Sequence, residues 1–172
     1  MRGEALSEFE ELYREYGNKV YRYLLFLTRS KDDAEDLMHE SFIVAIKNIG
    51  KFKGQCSLST WLYSIARNLY LNWSRKNKKI ECINIDDVID DLRININCEN
   101  EFINKESIEV IIRSLEELEF NYREVISLRS IEGLNYKEIA LIMGKSERWA
   151  RVVFHRGKVK LSDILKIKGV IK

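Results

Sequence analysis

The chain has 172 residues, enough for one domain or two small ones; 45% of it is apolar, 33% is charged, and it contains no proline. It has neither an apolar run long enough to cross a bilayer nor a cationic-then-apolar leader, and the commonest helix breaker is missing, so the expectation is a cytoplasmic, all-α protein without membrane insertion. The net charge of +2 hides a division: Met1–Ile80 carries 14 Lys/Arg against 10 Asp/Glu, Glu81–Glu106 carries 2 against 8, and Ser107–Lys172 carries 13 against 9. That pattern predicts two small helical domains, 1–80 and 107–172, joined by an acidic linker over 81–106.

The first domain reads as three helices. Ser7-Glu-Phe-Glu10 forms a capping box, from which Phe9, Leu12, Tyr13, Tyr16, Val20, Tyr23, Leu24 and Leu27 run as a helical stripe to about Thr28. Ser30 starts a second helix with Asp32 and Asp33 in its first turn, as the helix dipole prefers. Its apolar positions are Ala34, Leu37, Met38, Phe42, Ala45 and Ile46, and Gly50 is expected to end it. After a loop from Lys51 to Ser57, a third helix is predicted from Leu58 to about Lys76, with Leu58, Trp61, Leu62, Ile65, Ala66 and Leu69 as its core stripe. From Lys51 to Ile80 there are seven cations and no acid. Trp61, Tyr63, Tyr70 and Trp73 interleave there with Arg67, Arg75 and Lys76. Cations for the backbone and aromatic faces for unstacked bases suit single-stranded nucleic acid, with stacking worth about 1–3 kcal/mol per base. Trp61 and Tyr70 equally suit a bundle core, whereas Tyr63 and Trp73, off the stripe, favour the binding role.

The stretch from Ile85 to Asn100 has no clean helical stripe and is rich in Asp and Asn; it reads as a linker with room for one helical turn around 86–92. In the second domain, Asn135-Tyr-Lys-Glu138 is an N-cap with a capping-box glutamate. Met143-Gly144 is a helix end with a left-handed residue, and Ser146 caps the next helix. On that helix Ala150, Val153, Phe154, Gly157 and Leu161 face inward, while Arg148, Arg151, Val152, His155 and Lys158 face outward, with Arg156 among the cations. Two helices across a Gly-containing turn, the second loaded with cations, make a helix-turn-helix suited to duplex DNA. Cys56, Cys82 and Cys98 are odd in number and lack CxxC spacing, so they read as reduced thiols. With only His39 and His155 available and no Gly-rich phosphate loop, neither a metal, a cofactor nor catalysis is expected.

The string Asp33-Ala-Glu-Asp-Leu-Met-His-Glu-Ser-Phe42, then Phe52-Lys-Gly54, then Ser59-Thr-Trp-Leu-Tyr-Ser-Ile-Ala-Arg-Asn68, resembles region 2 of bacterial RNA polymerase sigma factors of the extracytoplasmic-function (ECF) group, in the sigma-70 family. Tyr122-Arg-Glu-Val-Ile126, Leu128-Arg129, the stretch from Glu132 to Ala140, Gly144 and His155-Arg156 resemble region 4 of the same group. The resemblance implies a protein that binds core RNA polymerase, recognises −10 and −35 promoter elements, assists melting and directs a stress- or signal-responsive regulon. It implies that Asp36, His39 and Glu40 bind a clamp helix of the largest polymerase subunit, with the flap region as a further contact; the family commonly has Gln where this chain has His39.

The loop from Phe52 to Leu58, with Lys53, and the helix carrying Trp61, Asn68, Asn72, Trp73, Arg75 and Lys76 are similar to the part that holds a base flipped from the single-stranded −10 element. Arg148, Arg151, Val152, His155, Arg156 and Lys158 are implied to meet the −35 duplex, although the family often has Lys-Ser-Arg where this chain has Arg151-Val152-Val153. The two valines either meet a thymine methyl or pack inward. An anti-sigma factor is implied as a further partner, binding between the modules and covering the Asp36–Glu40 face, the region 4 helices and, where they are left partly exposed, such apolar side chains as Phe42 and Ile46. The acidic linker is either a plain tether or a segment lying in a basic polymerase channel. A stand-alone DNA-binding regulator would account for the helix-turn-helix, but not for the Asp36–Glu40 face or the aromatic-cationic helix.

Overall fold

The computed structural model describes the backbone of residues 2–77 and 105–171, and the side chains of 10–77 and 109–171. Among them there are seven α-helices and no strand. The linker expected over 81–106 lies outside the described residues except for its last two positions, as do Cys82 and Cys98. The chain divides into two compact units, Met1–Ile83 and Asn84–Lys172.

The first unit is a bundle of α1 (Arg2–Thr28), α2 (Lys31–Asn48) and α3 (Leu58–Lys76), each packed on the other two. Helix α1 starts five residues before the Ser7–Glu10 capping box expected from sequence, which therefore lies inside the helix. Nothing from Arg2 to Leu6 breaks the backbone, so the first turns propagate through Ser7. Arg29 closes α1 in the left-handed region at φ 58°, its amide bonded to the Leu25 carbonyl at 2.8 Å, and two residues suffice to turn the chain. The Ser30 hydroxyl then accepts from the Asp33 amide to cap α2. Gly50 does not end α2 as expected: the helix tightens after Asn48 into a 3-10 turn over Ile49–Lys51. Ser57 caps α3 by accepting from the Thr60 amide at 3.2 Å.

The core of this unit joins Val20, Tyr23, Leu24 and Leu27 of α1 to Ala34, Leu37, Met38, Phe42 and Ala45 of α2 and to Leu62, Tyr63, Ala66 and Tyr70 of α3. This corrects the stripe expected for α3. Leu58, Trp61, Ile65 and Leu69 are only half-buried, while Tyr63 is fully buried edge-on against Tyr23, with ring centroids 5.2 Å apart. Burying a tyrosine ring removes more apolar surface from water than burying a Leu or Ile side chain, so the aromatic face turns inward.

The second unit holds α4 (Lys105–Glu116), α5 (Phe120–Ser130), α6 (Tyr136–Met143) and α7 (Glu147–Ile167). The long α7 packs against α4, α5 and α6. Gly157 lets α7 lie close against α5, since an added Cβ would stand 2.9 Å from Ile126 Cδ1 and 3.2 Å from Tyr122 Cβ. The α6–turn–α7 segment forms as its capping signals dictate. Asn135 Oδ1 accepts from the Glu138 amide at 3.0 Å, and Glu138 Oε2 accepts from the Asn135 amide at 2.9 Å. Gly144 takes φ 63°, and Ser146 Oγ accepts from the Trp149 amide at 3.1 Å. On the outside of this unit Lys160 pairs with Glu119 at 2.8 Å; that carboxylate holds the ammonium above the usual lysine pKa.

Candidate nucleic-acid interface

Three exposed surfaces follow from these packings. The first is the outward face of α2. With Ala34, Leu37, Met38 and Phe42 turned to the core, helical geometry leaves Glu35, Asp36, His39 and Glu40 outside, and all four are exposed. His39 lies over α1: its Nε2 is 3.3 Å from the Tyr13 hydroxyl, and the two rings are nearly parallel at 6.2 Å. Beneath them a cavity of about 500 Å³ is lined by Tyr13, Gly17, Tyr21, Glu35, Met38 and His39. Phe42 is fully buried, as its place on the apolar stripe of α2 expects, so it is not among the apolar side chains left for a partner to cover. Its neighbour Ile43 is 50% exposed and lies one turn along from His39 and Glu40, so it supplies the apolar edge of the face instead, with Ile46 half-buried.

The second surface is α3 with the loop before it. Trp61, Asn68, Asn72 and Arg75 follow spacings of seven, four and three residues, which places them on one helical face. Asn68, Asn72, Arg75 and Lys76 are exposed, as is Lys53 in the loop. Trp61 is half-buried and packs on Phe52 of the loop, ring centroids 5.0 Å apart, so it pins the loop against α3. Trp73 is half-buried and stacks on the buried Tyr70 at 5.9 Å. Tyr63, expected to favour a binding role, is excluded from this surface by its burial. No acid lies on α3, so the face is cationic, polar and partly aromatic.

The third surface is α7. Arg148, Arg151, Val152 and His155 share one outward face and are exposed, with the exposed Arg156 and Lys158 on its flanks. Of the two valines, Val152 is 39% exposed and Val153 is 9% exposed, so the first faces outward and the second packs inward. Phe154, expected inside, is half-buried beneath the Tyr136 ring, with centroids 5.7 Å apart. Sequence reasoning missed the neighbours of Arg151. Its Nη2 pairs with Glu147 Oε1 at 2.9 Å and its guanidinium carbon lies 4.7 Å from the Tyr136 ring centroid. The Glu147–Arg151 spacing of four on one helix was available as a signal; the Tyr136 contact crosses the turn and was not.

Among the described residues no three His, Cys, Asp or Glu side chains gather as metal ligands, and no helix is long and apolar enough to cross a membrane. What the surfaces offer is binding chemistry: guanidinium and ammonium groups for phosphates, amides for base edges, half-buried tryptophans beside them, and an acidic helix face that nucleic acid would repel.

Comparison with known proteins agrees. Residues 12–80 match the family model for sigma-70 region 2, and residues 108–161 match that for sigma-70 region 4. The ECF RNA polymerase sigma factor SigM of Bacillus subtilis is 37% identical over 155 residues, spanning 90% of this chain and 93% of SigM. In fold the chain is similar to the sigma factor RpoE in a complex with the anti-sigma factor NepR from Bartonella quintana, at TM-score 0.71 and 19% identity over 93% of this chain and 98% of that one. It is also similar to CnrH in complex with the cytosolic domain of CnrY, at TM-score 0.68 and 20% identity over 92% and 88% of the two chains. Two family matches in order and a relative of this identity along nearly its whole length place the chain: it belongs to the ECF group of the sigma-70 family, the non-enzymatic initiation factors that bind RNA polymerase and recognise promoters.

Proposed function

We propose a division of labour among the three surfaces, in a protein that acts in the cytoplasm and leaves RNA chemistry to the polymerase. The α2 face of Asp36, His39 and Glu40 docks on a clamp helix of the largest subunit. The α3 surface, with Lys53, Trp61, Asn68, Asn72, Trp73, Arg75 and Lys76, holds the unpaired strand of the −10 element and so assists melting. The outward face of α7, with Arg148, Arg151, Val152, His155, Arg156 and Lys158, enters the major groove of the −35 element, and the flap region meets the second unit. The observation that carries this reading is the segregation of charge in the first unit. An acidic exposed face on α2 and an acid-free exposed face on α3 share one small bundle. A regulator that only bound DNA would gain nothing from the acidic face, whereas a polymerase subunit needs one surface for a basic protein partner and another for DNA.

A partner that covers the α2 face when transcription is not required completes the reading, and the regulon is taken to answer a stress or signal. Two similar proteins, RpoE and CnrH, were solved bound to NepR and to CnrY. Exposed Ile43 beside the acidic positions gives such a partner apolar area to cover. The test is reconstitution with core polymerase on a pool of randomised promoter fragments. Run-off transcripts selected by two separated sequence elements are expected; transcripts no different from those of core polymerase alone would refute the proposal. Pull-down from unstressed cells tests the covering partner, which fails if only polymerase subunits are recovered.

A further inference from the structure

The side chains around Arg151 form a small assembly on the outer surface of the helix-turn-helix. Tyr136 is the first residue of α6, and its half-exposed ring has two guanidinium groups within cation–π distance: that of Arg151 at 4.7 Å and that of Arg129, from the end of α5, at 5.0 Å. Arg129 is itself anchored, because its Nη1 donates to the Leu134 carbonyl at 2.9 Å. Phe154 supports the ring edge-on from α7. Glu147, in the first turn of α7, takes Nη2 of Arg151 at 2.9 Å. Arg151 thus has an aromatic ring 4.7 Å from its guanidinium carbon and a carboxylate on Nη2, while its side chain stays 54% exposed.

We propose that Tyr136 and Glu147 are positioning residues for promoter reading: they hold the Arg151 guanidinium in one orientation on α7, so that it discriminates between base edges instead of taking the nearest phosphate. The inference rests on the reading that α7 enters the major groove. An arginine on a flexible stem meets a phosphate from many rotamers, and such contacts carry no sequence information. A bidentate contact to a guanine edge needs two donors in one plane, and fixing that plane beforehand removes ordering cost from the specific complex alone. Glu147 acts in the same direction. Its charge opposes phosphate anywhere near the N-terminus of α7, and its bond takes up Nη2 while the remaining donors of the fork stay available to a base edge. Phe in place of Tyr136 would keep the ring; Ala would not.

The experiment uses the full chain assembled with core polymerase and a pool of promoter duplexes randomised over the −35 element. Bound duplexes are sequenced to give the discrimination at each base pair, and binding to unrelated duplex is measured in parallel. Arg151→Ala is expected to flatten the preference at one or two adjacent base pairs. Tyr136→Ala flattens it at the same base pairs by about fivefold, equivalent to about 1 kcal/mol, with binding to unrelated duplex unchanged, and Tyr136→Phe keeps the parental preference. Glu147→Gln lowers discrimination at those base pairs while raising affinity for every duplex. Parental discrimination in Glu147→Gln, or in a Tyr136→Ala protein that melts like the parent, overturns the positioning role and leaves the reading of α7 standing. If Tyr136→Phe and Tyr136→Ala weaken binding to all sequences alike, the hydroxyl meets a phosphate and the role is again overturned. An Arg151→Ala protein with unchanged preference at every base pair overturns both. Glu147 is exposed, so its variant decides the matter even where Tyr136→Ala fails to fold.

Discussion

Helices α3 and α7 each present an outward row of polar and cationic side chains, but they are built differently. On α3 the row begins at half-buried Trp61, passes Asn68 and Asn72, and reaches its charge only at Arg75 and Lys76. On α7 the charge starts at Arg148 in the first turn and continues through Lys158, with Val152 the apolar member of the outward face. The α3 rings are tied to neighbouring rings, Trp61 to Phe52 and Trp73 to Tyr70; the α7 arginine is tied to a ring and a carboxylate. A surface of anchored rings with charge at one end suits bases that have left the stack, whereas a charged row with one anchored guanidinium suits an intact groove. The units differ further in sign: the first carries an acidic face on α2 as well.

The largest expected effect tests that difference in sign. Asp36→Arg combined with Glu40→Arg should lower affinity for core polymerase on the order of a hundredfold or more, because two attractions become repulsions. Both side chains are exposed, so the helical content and melting temperature should match the parent. Fluorescence anisotropy with labelled core polymerase measures the loss. Parental affinity would remove α2 from the polymerase contact and leave the first unit with a nucleic-acid role only.

A second substitution pair separates stacking from support on α3. Trp73→Ala should weaken binding of holoenzyme to a single-stranded −10 oligonucleotide by about 1–3 kcal/mol, the value of one stacked base. Trp61→Ala should weaken it too, but with a lower melting temperature, since the Phe52 loop loses the ring it packs on at 5.0 Å. If Trp73→Ala instead melts early and binds normally, its contact with Tyr70 is structural and the aromatic half of the comparison falls.

How far the chain explains itself from sequence depends on whether the deciding interaction is local. The starts of α2, α3, α6 and α7 are written in Ser30, Ser57, Asn135 and Ser146, each of which accepts from the amide three residues on. Gly144 is legible for the same reason, because the left-handed turn it makes is local. The inward face of α3 was not legible. That helix offers two overlapping apolar stripes, one through Leu58, Trp61, Ile65 and Leu69 and one through Leu62, Tyr63, Ala66 and Tyr70. Contact with Tyr23 of α1, forty residues away, selects the second. Phe42 and Ile43 pose the same problem as neighbours of like hydropathy, one inside and one outside. The surroundings of Arg151 were half legible: Glu147 follows from helical spacing, while Tyr136 needs the turn geometry.

On α7 the comparison sharpens between two cations. Arg156→Ala should lower affinity for all duplexes by a similar factor and reduce the salt dependence of binding by about one phosphate contact. Arg151→Ala should cost about 1–3 kcal/mol toward the preferred −35 sequence and much less toward others. Titrations at two salt concentrations with specific and scrambled duplex distinguish these. Identical losses on both duplexes for Arg151→Ala would make α7 a phosphate-binding helix without base readout.

The smallest expected effect concerns the two serine caps, alike in sequence role but not in surroundings. Ser146 is exposed and its hydroxyl accepts from the Trp149 amide, so Ser146→Ala should cost about 0.5–1 kcal/mol of stability in the second unit. The Ser57 hydroxyl accepts from the Thr60 amide at 3.2 Å and also lies 2.7 Å from the Thr60 hydroxyl and 3.0 Å from that of Ser59. Thr60 is fully buried, so Ser57→Ala loses this hydroxyl contact as well as the cap and should cost somewhat more than Ser146→Ala. The loop carrying Lys53 ends at Ser57, so fraying there should also loosen the loop and slow promoter opening, an effect Ser146→Ala should not share. Thermal melts of the full chain, with the second unit followed by Trp149 in a Trp61→Phe, Trp73→Phe background and the first by Trp61 and Trp73 in a Trp149→Phe background, test the order of the two costs. Equal costs would mean that the contact between the Ser57 and Thr60 hydroxyls adds nothing to the cap, and that the two recognition helices are started by the same interaction and nothing more.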